Sequence, residues 1–146
     1  TMVQGIDLLE AYGLQLATLG AATLARLKES YPPFYVVQNP VDVTGSGTST
    51  DYEVGIEALL ADPAVDIVMP WFVFQDTPLG EDIVEKLGRL TRSHDKPILV
   101  GGIGGPYTAR ISQAIEREGV PVFHSVRDWI AAARGLAFHA GWRPAR

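Results

Sequence analysis

Cysteine is absent from this chain of 146 residues. Its absence excludes disulfide bonds, thiol nucleophiles and thiolate zinc sites, and it fits a cytoplasmic protein. Acidic residues outnumber basic ones: the chain has 17 Asp and Glu but 12 Lys and Arg, which gives a net charge of -5. A chain of this charge has no basic stripe to neutralise phosphates, which argues against nucleic acid as a partner.

Long apolar runs are missing as well. Residues 67–74 form one of the longest uncharged apolar stretches, far short of the roughly 20 residues that a membrane-spanning helix requires. No basic segment followed by an apolar run marks an export signal. We therefore predict no membrane association and a cytoplasmic location.

What the chain does contain is a regular alternation of helical and extended patterns. Pro and Gly fall singly between these segments and no linker divides them, so residues 1–146 are predicted to form one domain. Apolar spacing predicts helices at 2–12, 21–30, 51–61, 78–93, 107–118 and 126–139. Apolar runs predict strands at 65–74, 96–100 and 120–124, with extended segments at 14–16 and 36–43. The alternation indicates an α/β fold with a doubly wound parallel sheet and helices on both faces.

Ligands of such sheets bind at the carboxyl ends of the strands. The loops at these ends are residues 44–50, 74–78, 101–106 and 124–125. The glycines at 101–106 do not keep the dinucleotide spacing, because the third glycine of that motif would fall on Tyr107. An anion-binding or interface loop and a tight turn that needs positive φ both remain open for this segment.

The loop at 44–50 is rich in Gly, Ser and Thr ahead of a helix, so its amides and hydroxyls are candidates to hold a phosphate. Ordinary capping by Thr50 or Asp51 is the alternative, because the loop has neither the lysine nor the spacing of a P-loop. The turn at 74–78 is also predicted to open a helix, with Asp76 or Thr77 as its cap. Asp76 would repel an anion there.

No catalytic residue or metal ligand emerges from the histidines. The chain has three, at positions 94, 124 and 139, and none lies in a metal-ligand spacing. His124 is the one histidine placed at the presumed ligand edge. No nucleophile elbow is present either, and Asp42 is as well suited to bind N–H groups of the loop that follows it as to do chemistry. We assign no catalytic residue and no metal site.

Several segments, taken in order, resemble a known family. Residues 39–45 read Asn-Pro-Val-Asp-Val-Thr-Gly, and a helix ending in Ala-Leu-Leu-Ala-Asp-Pro-Ala-Val-Asp at 58–66 follows. Lys-Pro-Ile-Leu-Val-Gly-Gly at 96–102 and Glu-Gly-Val-Pro-Val-Phe at 118–123 come later. Together they resemble the flavodoxin-like CoA-ligase domain of NDP-forming acyl-CoA synthetases, relatives of succinyl-CoA synthetase. The resemblance covers residues 2–135.

This resemblance implies a part of an ADP-forming ligase that converts acyl-CoA, phosphate and ADP to an acid, CoA and ATP through a phosphohistidine. The domain itself would bind no cofactor, and the whole enzyme would use CoA, ATP or ADP, and Mg. Its partners would be the CoA-binding, phosphohistidine and ATP-grasp domains or subunits of the same ligase, in a homo- or hetero-oligomer. This chain is expected to be inactive alone.

The resemblance also implies that a helix N-terminus faces the phosphoryl group, where its dipole favours negative charge. The matching turn is placed at 74–78. The predicted phosphate-site or interface residues are Asn39, Asp42, Thr44, Gly45, Gln75, Thr77, Gly101, Gly102 and Gly104.

The family's first strand and its Gly-rich turn would precede Met2. We therefore expect a fragment, whose first strand has been cleaved, is unresolved or comes from another chain. A non-catalytic interaction or regulatory module in a degenerate relative is the alternative to the ligase. A free-standing flavodoxin-like protein that binds FMN, a sugar or a nucleotide is a third hypothesis.

Overall fold

The computed structural model describes residues 2–141, with side chains from residue 5 onward. The described part forms six α-helices and three short strands. The helices are α1 (Met2–Ala11), α2 (Ala21–Ser30), α3 (Ser49–Ala61), α4 (Ile83–Ser93), α5 (Pro106–Arg117) and α6 (Val126–His139). The strands are β1 (Trp71–Phe72), β2 (Val100–Gly102) and β3 (Val122–Phe123). No helix in this part of the chain is long and apolar enough to cross a membrane.

The three strands form one parallel sheet in the order β1-β2-β3. A further parallel bridge joins Val68 to Ile98, so the pairing of β1 and β2 reaches back beyond the regular strands. The strands are shorter than predicted, although the apolar run at 65–74 keeps Val65, Val68, Phe72 and Phe74 buried. The predicted parallel α/β fold is confirmed.

Helices cover both faces of this sheet. On one face Val68, Phe72 and Val100 pack against apolar side chains of α3, α4 and α5, among them Ile56 and Leu87. On the other face Ile67, Met69 and Leu99 pack with Trp129 and Ile130 of α6 and with apolar side chains of α1. The alternation of neighbouring residues between the two faces is what a strand buried on both sides requires.

Helix α3 begins at Ser49, earlier than predicted, because Thr48 caps it. The Thr48 hydroxyl accepts a hydrogen bond from the Asp51 N–H at 3.2 Å, and the Asp51 carboxylate accepts from the Thr48 N–H at 2.8 Å. This reciprocal pair is a capping box. The prediction of Thr50 or Asp51 as the N-cap is therefore wrong, although Asp51 contributes from the third helical position.

Helix α4 begins at Ile83, five residues after the predicted start. Residues 74–78 form turns, and Asp82 occupies the N-cap position. The predictions that the turn at 74–78 opens a helix and that Asp76 or Thr77 caps it are wrong. The Ser49 hydroxyl lies between the two segments, 2.9 Å from the Gly80 N–H and 2.6 Å from the Asp82 carboxylate, so α3 positions the end of this turn.

The two extended segments differ from prediction. Residues 14–16 form no strand and find no strand partner in residues 2–141. Val36 pairs with Asp42 in an antiparallel bridge, so residues 36–43 fold back on themselves as a small loop, with a cis bond between Asn39 and Pro40.

Candidate functional site

The predicted site residues fall mainly into two groups, of which the first follows a strand and the second precedes α3. The Gly101 loop (residues 101–106) joins β2 to α5 and lies beside Gln75. The Thr44 loop (residues 42–50) leads into α3. Each group forms its own contacts.

The glycines of the Gly101 loop are required by close packing. A Cβ atom on Gly101 would overlap the Trp71 ring, and one on Gly102 would lie 2.7 Å from the Phe74 ring. Neither glycine has positive φ, since the positive-φ glycines of the described chain are Gly13, Gly119 and Gly141. The interpretation of this segment as a turn that needs positive φ is therefore wrong. The aromatic side chains of Trp71 and Phe74 occupy the space instead.

Gly104 allows a contact between the turn after β1 and the beginning of α5. A Cβ atom there would overlap both Nε2 of Gln75 and Oγ1 of Thr108. Thr108 is fully buried, and its hydroxyl has no hydrogen-bond partner among the described residues. Gln75, Gly101, Gly102 and Gly104 thus belong to one packed unit. Sequence reasoning missed Thr108, because its spacing marks it only as an ordinary helical residue.

His124 joins the ends of β2 and β3. Its Nδ1 lies 2.9 Å from the carbonyl oxygen of Gly102, and the N–H at that position donates to the carbonyl. This bond holds the ring in one orientation beside the Gly101 loop. His124, which the sequence places at the ligand edge, thus has a structural role in this bond.

A cation lies near the start of α5, but it is already paired. The Arg110 guanidinium binds both carboxylate oxygens of Glu81, at 2.5 and 3.2 Å, and it stacks on the Tyr107 ring with 5.1 Å to the ring centre. Hydrogen bonds and charge from Arg110 lower the pKa of Glu81. The pair is exposed, so water screens it.

The Thr44 loop is built on a carboxylate. Asp42 Oδ1 accepts the N–H of Thr44 at 2.7 Å, and the Thr44 hydroxyl lies 2.9 Å from that of Ser46. Thr44 has φ 56, a left-handed conformation that costs about 1–2 kcal/mol for a residue other than glycine. Asp42 therefore organises the loop backbone, which is one of the two roles the sequence left open.

The glycines of this loop behave differently from each other. A Cβ atom on Gly45 would meet nothing within 4 Å, and its φ is not positive, so the structure shows no need for glycine there. A Cβ atom on Gly47 would lie 2.5 Å from Val43. Sequence reasoning selected Gly45 and missed Gly47, because only the folded loop shows which of the two is packed.

The electrostatics of this end of the sheet are acidic. Burial together with the carboxylates of Asp42 and Asp76 raises the pKa of Tyr52, on α3, to about 12. Both carboxylates therefore act on the same side chain. The charge near the turn at 74–78 is negative, and the turn has no helix N-terminus to offset it.

The two remaining predicted residues differ in their contacts. The Nδ2 group of Asn39 donates to the carbonyl oxygen of Ala17 at 2.9 Å, so it ties the 36–43 loop to residues 14–18. Thr77 is exposed and precedes a cis bond to Pro78. No group of three metal-ligating side chains is found in residues 2–141.

Comparison with known proteins gives a family match over nearly the whole chain. The profile of the Ligase-CoA domain matches residues 3–140. The chain belongs to the Ligase-CoA domain family.

One relative of this Ligase-CoA domain is the alpha subunit of ADP-forming acetate–CoA ligase II from Pyrococcus furiosus. It is 31% identical over 140 residues, which cover 92% of this chain and 30% of that subunit. A crystal structure of a Pyrococcus horikoshii protein superposes with a TM-score of 0.88 at 29% identity, covering 96% of this chain and 33% of the other.

A third similar structure is that of the dinucleotide-forming acetyl-coenzyme A synthetase 1 of Ca. Korarchaeum cryptofilum, in complex with phosphate and ADP. Its TM-score is 0.84 at 23% identity, and the match covers 95% of this chain and 30% of that one. These structures confirm the fold. The chain spans about a third of the length of the proteins it matches.

Proposed function

We propose that this Ligase-CoA domain works as one part of an ADP-forming acyl-CoA synthetase, which converts acyl-CoA, phosphate and ADP to an acid, CoA and ATP through a phosphohistidine. The observation that carries the proposal is the family match at residues 3–140, together with a relative that is itself an ADP-forming acetate–CoA ligase subunit.

The domain contributes contacts rather than a nucleophile. Asp42 is bound to its own loop, His124 is bound to a backbone carbonyl, and Arg110 is paired with Glu81. We therefore assign the phosphohistidine, CoA, and nucleotide with Mg to other domains or subunits of the ligase, in a homo- or hetero-oligomer in the cytoplasm. The domain itself binds no cofactor in this proposal.

Of the two predicted loop groups, the Gly101 loop is better suited to lie near a phosphoryl group. It directly precedes α5, whose first N–H groups and dipole favour an anion. The Thr44 loop and the turn at 74–78 present Asp42 and Asp76, which oppose one. We infer that Asp42, Thr44, Gly45 and Thr77 serve an interface with a neighbouring domain, while Gln75 and Gly104 lie nearer to the phosphate.

The test is phosphorylation of the full-length protein. Incubation with radiolabelled ATP should give an acid-labile, alkali-stable label on a histidine outside residues 1–146, and acetyl-CoA with phosphate and ADP should yield ATP. A full-length protein that acquires no such label contradicts the ligase proposal.

The acidic Thr44 loop is the observation that favours the second candidate, a non-catalytic interaction module. The two candidate functions predict different behaviour for one double variant. In a pure interaction module, the full-length protein should form no phosphoenzyme, and Asp42→Asn with Asp76→Asn should weaken domain association without changing folding. In a ligase, the same variant should alter turnover with acetyl-CoA.

A further inference from the structure

An exposed aromatic side chain lies at the tip of the turn that follows α2. The N–H of Tyr35 donates to the carbonyl oxygen of Pro32 at 3.1 Å, so Pro33 and Phe34 are the two central residues of a β-turn. Proline favours the first of these central positions, because its ring fixes φ. Phe34 is 63% exposed. The turn therefore presents a large apolar ring to solvent on a backbone with little freedom.

Neighbouring tyrosines hold this ring in place. Phe34 contacts Tyr35 edge to face, with 5.1 Å between the ring centres, and Tyr35 contacts Tyr31 in the same way at 5.2 Å. Both tyrosines are buried and bind Asp51 of α3. The Tyr31 hydroxyl donates to its carbonyl oxygen at 2.6 Å, and the Tyr35 hydroxyl donates to its carboxylate at 3.2 Å. Because Phe34 rests on fixed neighbours, a partner that binds it loses little conformational entropy in ordering the ring.

An apolar side chain and a carboxylate lie beside the turn. Val36 and Asp42 form an antiparallel bridge and exchange both backbone hydrogen bonds, at 2.9 and 3.0 Å. The Cα atoms of such a pair lie about 5.5 Å apart. Phe34 is two residues before Val36, so these two Cα atoms are within about 7 Å. Val36 is 41% exposed and Asp42 is also exposed. We call Phe34, Val36 and Asp42 the Phe34 surface.

The negative charge at this surface is not offset. One carboxylate oxygen of Asp42 accepts the N–H of Thr44, and the other has no hydrogen-bond partner among residues 5–141. No Lys or Arg side chain in that part of the chain forms an ion pair with Asp42, Asp51 or Asp76. The Phe34 surface thus offers an aromatic ring, an aliphatic side chain and a free carboxylate oxygen to a single partner.

We propose that the Phe34 surface binds an arginine side chain from another domain or subunit of the same ligase. A guanidinium group stacks on an aromatic ring and donates to a carboxylate through the same planar group, whereas a lysine ammonium is a point charge. The aliphatic part of the arginine packs on an apolar side chain such as Val36. The source of the arginine rests on the proposed function, in which this domain is one part of a longer enzyme; 140 residues of the chain match 30% of the Pyrococcus furiosus subunit.

Photo-crosslinking in the full-length ligase identifies what covers this surface. The variant is Phe34→p-benzoylphenylalanine, and cross-linked peptides are mapped by mass spectrometry. We expect one dominant cross-link, to a segment outside residues 1–146 that contains an arginine. The control is Asp95→p-benzoylphenylalanine, at an exposed position ahead of β2. A cross-link no stronger than that of the control would overturn the proposal. So would a cross-link to a segment without arginine or to residues 1–146 of a second copy.

Modification of arginine by phenylglyoxal gives a second readout in the same full-length protein. The arginine of the cross-linked segment should react about tenfold faster in Asp42→Asn and in Phe34→Ala, because each variant removes one of its contacts. Asparagine keeps an oxygen for the Thr44 N–H, and both positions are exposed, so the variants should fold. Asp95→Asn is the charge control and should leave the rate unchanged. Equal rates in all three variants would contradict the proposal.

Neither readout depends on phosphoryl transfer, so the two proposals can fail separately. A histidine label without the cross-link would overturn the Phe34 surface and leave the ligase proposal intact. The cross-link without a histidine label would contradict the ligase proposal while supporting an arginine-binding surface in an interaction module.

Discussion

The Gly101 loop and the Thr44 loop both lie at the carboxyl end of the sheet, but they are built in different ways. In the Gly101 loop, aromatic rings and a glutamine fill the space next to three glycines, so the backbone there cannot accept a side chain. In the Thr44 loop, a carboxylate and a strained threonine shape a more open turn. Packing therefore determines the first loop, and hydrogen bonding and charge determine the second.

Adding one carbon atom to each loop is the strongest test of this difference. Gly101→Ala should destabilise the protein by about 3 kcal/mol, because the new Cβ overlaps the Trp71 ring and lies 3.2 Å from Trp129. The matched variant Gly45→Ala should change stability by less than about 0.5 kcal/mol, because nothing lies within 4 Å of its Cβ. Urea unfolding monitored by tryptophan fluorescence measures both.

Equal losses for the two variants would mean that the rings beside Gly101 can move aside. A loss at Gly45 alone would reverse the comparison and make the Thr44 loop the packed one.

The raised pKa of Tyr52, which packs beside the Thr44 loop, predicts a loss of stability at alkaline pH. Burial and the carboxylates of Asp42 and Asp76 raise the pKa of Tyr52 from an ordinary value near 10 to about 12. The folded state thus favours the neutral phenol, so this stabilisation is complete below pH 10 and is lost as the pH rises from 10 to 12. This shift corresponds to about 3 kcal/mol, and Tyr31, whose pKa is also raised, adds to the same trend.

The measurement is the free energy of unfolding between pH 8 and 12, with absorbance titration of the tyrosines. Tyr52→Phe should flatten part of the alkaline decline. Asp42→Asn with Asp76→Asn should lower the pKa of Tyr52 while leaving it above 10, because burial is the larger cause. If the pKa of Tyr52 is unchanged in the double variant, the charges of Asp42 and Asp76 do not act on this tyrosine.

Local patterns were sufficient to predict much of the fold. Helices α2 and α6 have the predicted bounds, since apolar spacing and nearby Pro, Gly and Ser residues mark their ends. The parallel sheet and its two helix layers also followed from alternation. Local patterns did not predict the strand lengths, because a strand forms only where another strand pairs with it. Residues 14–16 have no pairing strand in the described chain.

The candidate site was harder to predict, because its contacts join residues distant in sequence. The glycines at 101, 102 and 104 were selected because they follow a strand and precede a helix, but the contacts that the structure shows for them are with Trp71, Phe74 and Gln75. Tyr52 was missed, since nothing local signals that Asp42 and Asp76 converge on it. The start of α4 was misplaced because Ser49, on another helix, binds Gly80 and Asp82.

A smaller effect is expected from the capping box that ends the Thr44 loop. Thr48→Ala removes the acceptor for the Asp51 N–H and should cost about 1 kcal/mol. Thr50→Ala is the control, because Thr50 is exposed in the first turn and makes no cap bond. Thermal unfolding of the two variants measures the difference. If Thr50→Ala is the more costly, the cap is misassigned.

The smallest effect should come from the strained position of the same loop. Thr44→Gly relieves the cost of φ 56, but it raises the entropy of the unfolded chain and removes the contact with Ser46. These changes oppose each other, so stability should shift by no more than about 0.5 kcal/mol in urea unfolding. Thr44→Val keeps the size and adds a β-branched apolar side chain where φ is positive, so it should lose more than Thr44→Gly. If Thr44→Val were as stable as Thr44→Gly, the loop would relax away from the left-handed conformation, and Asp42 alone would account for its shape.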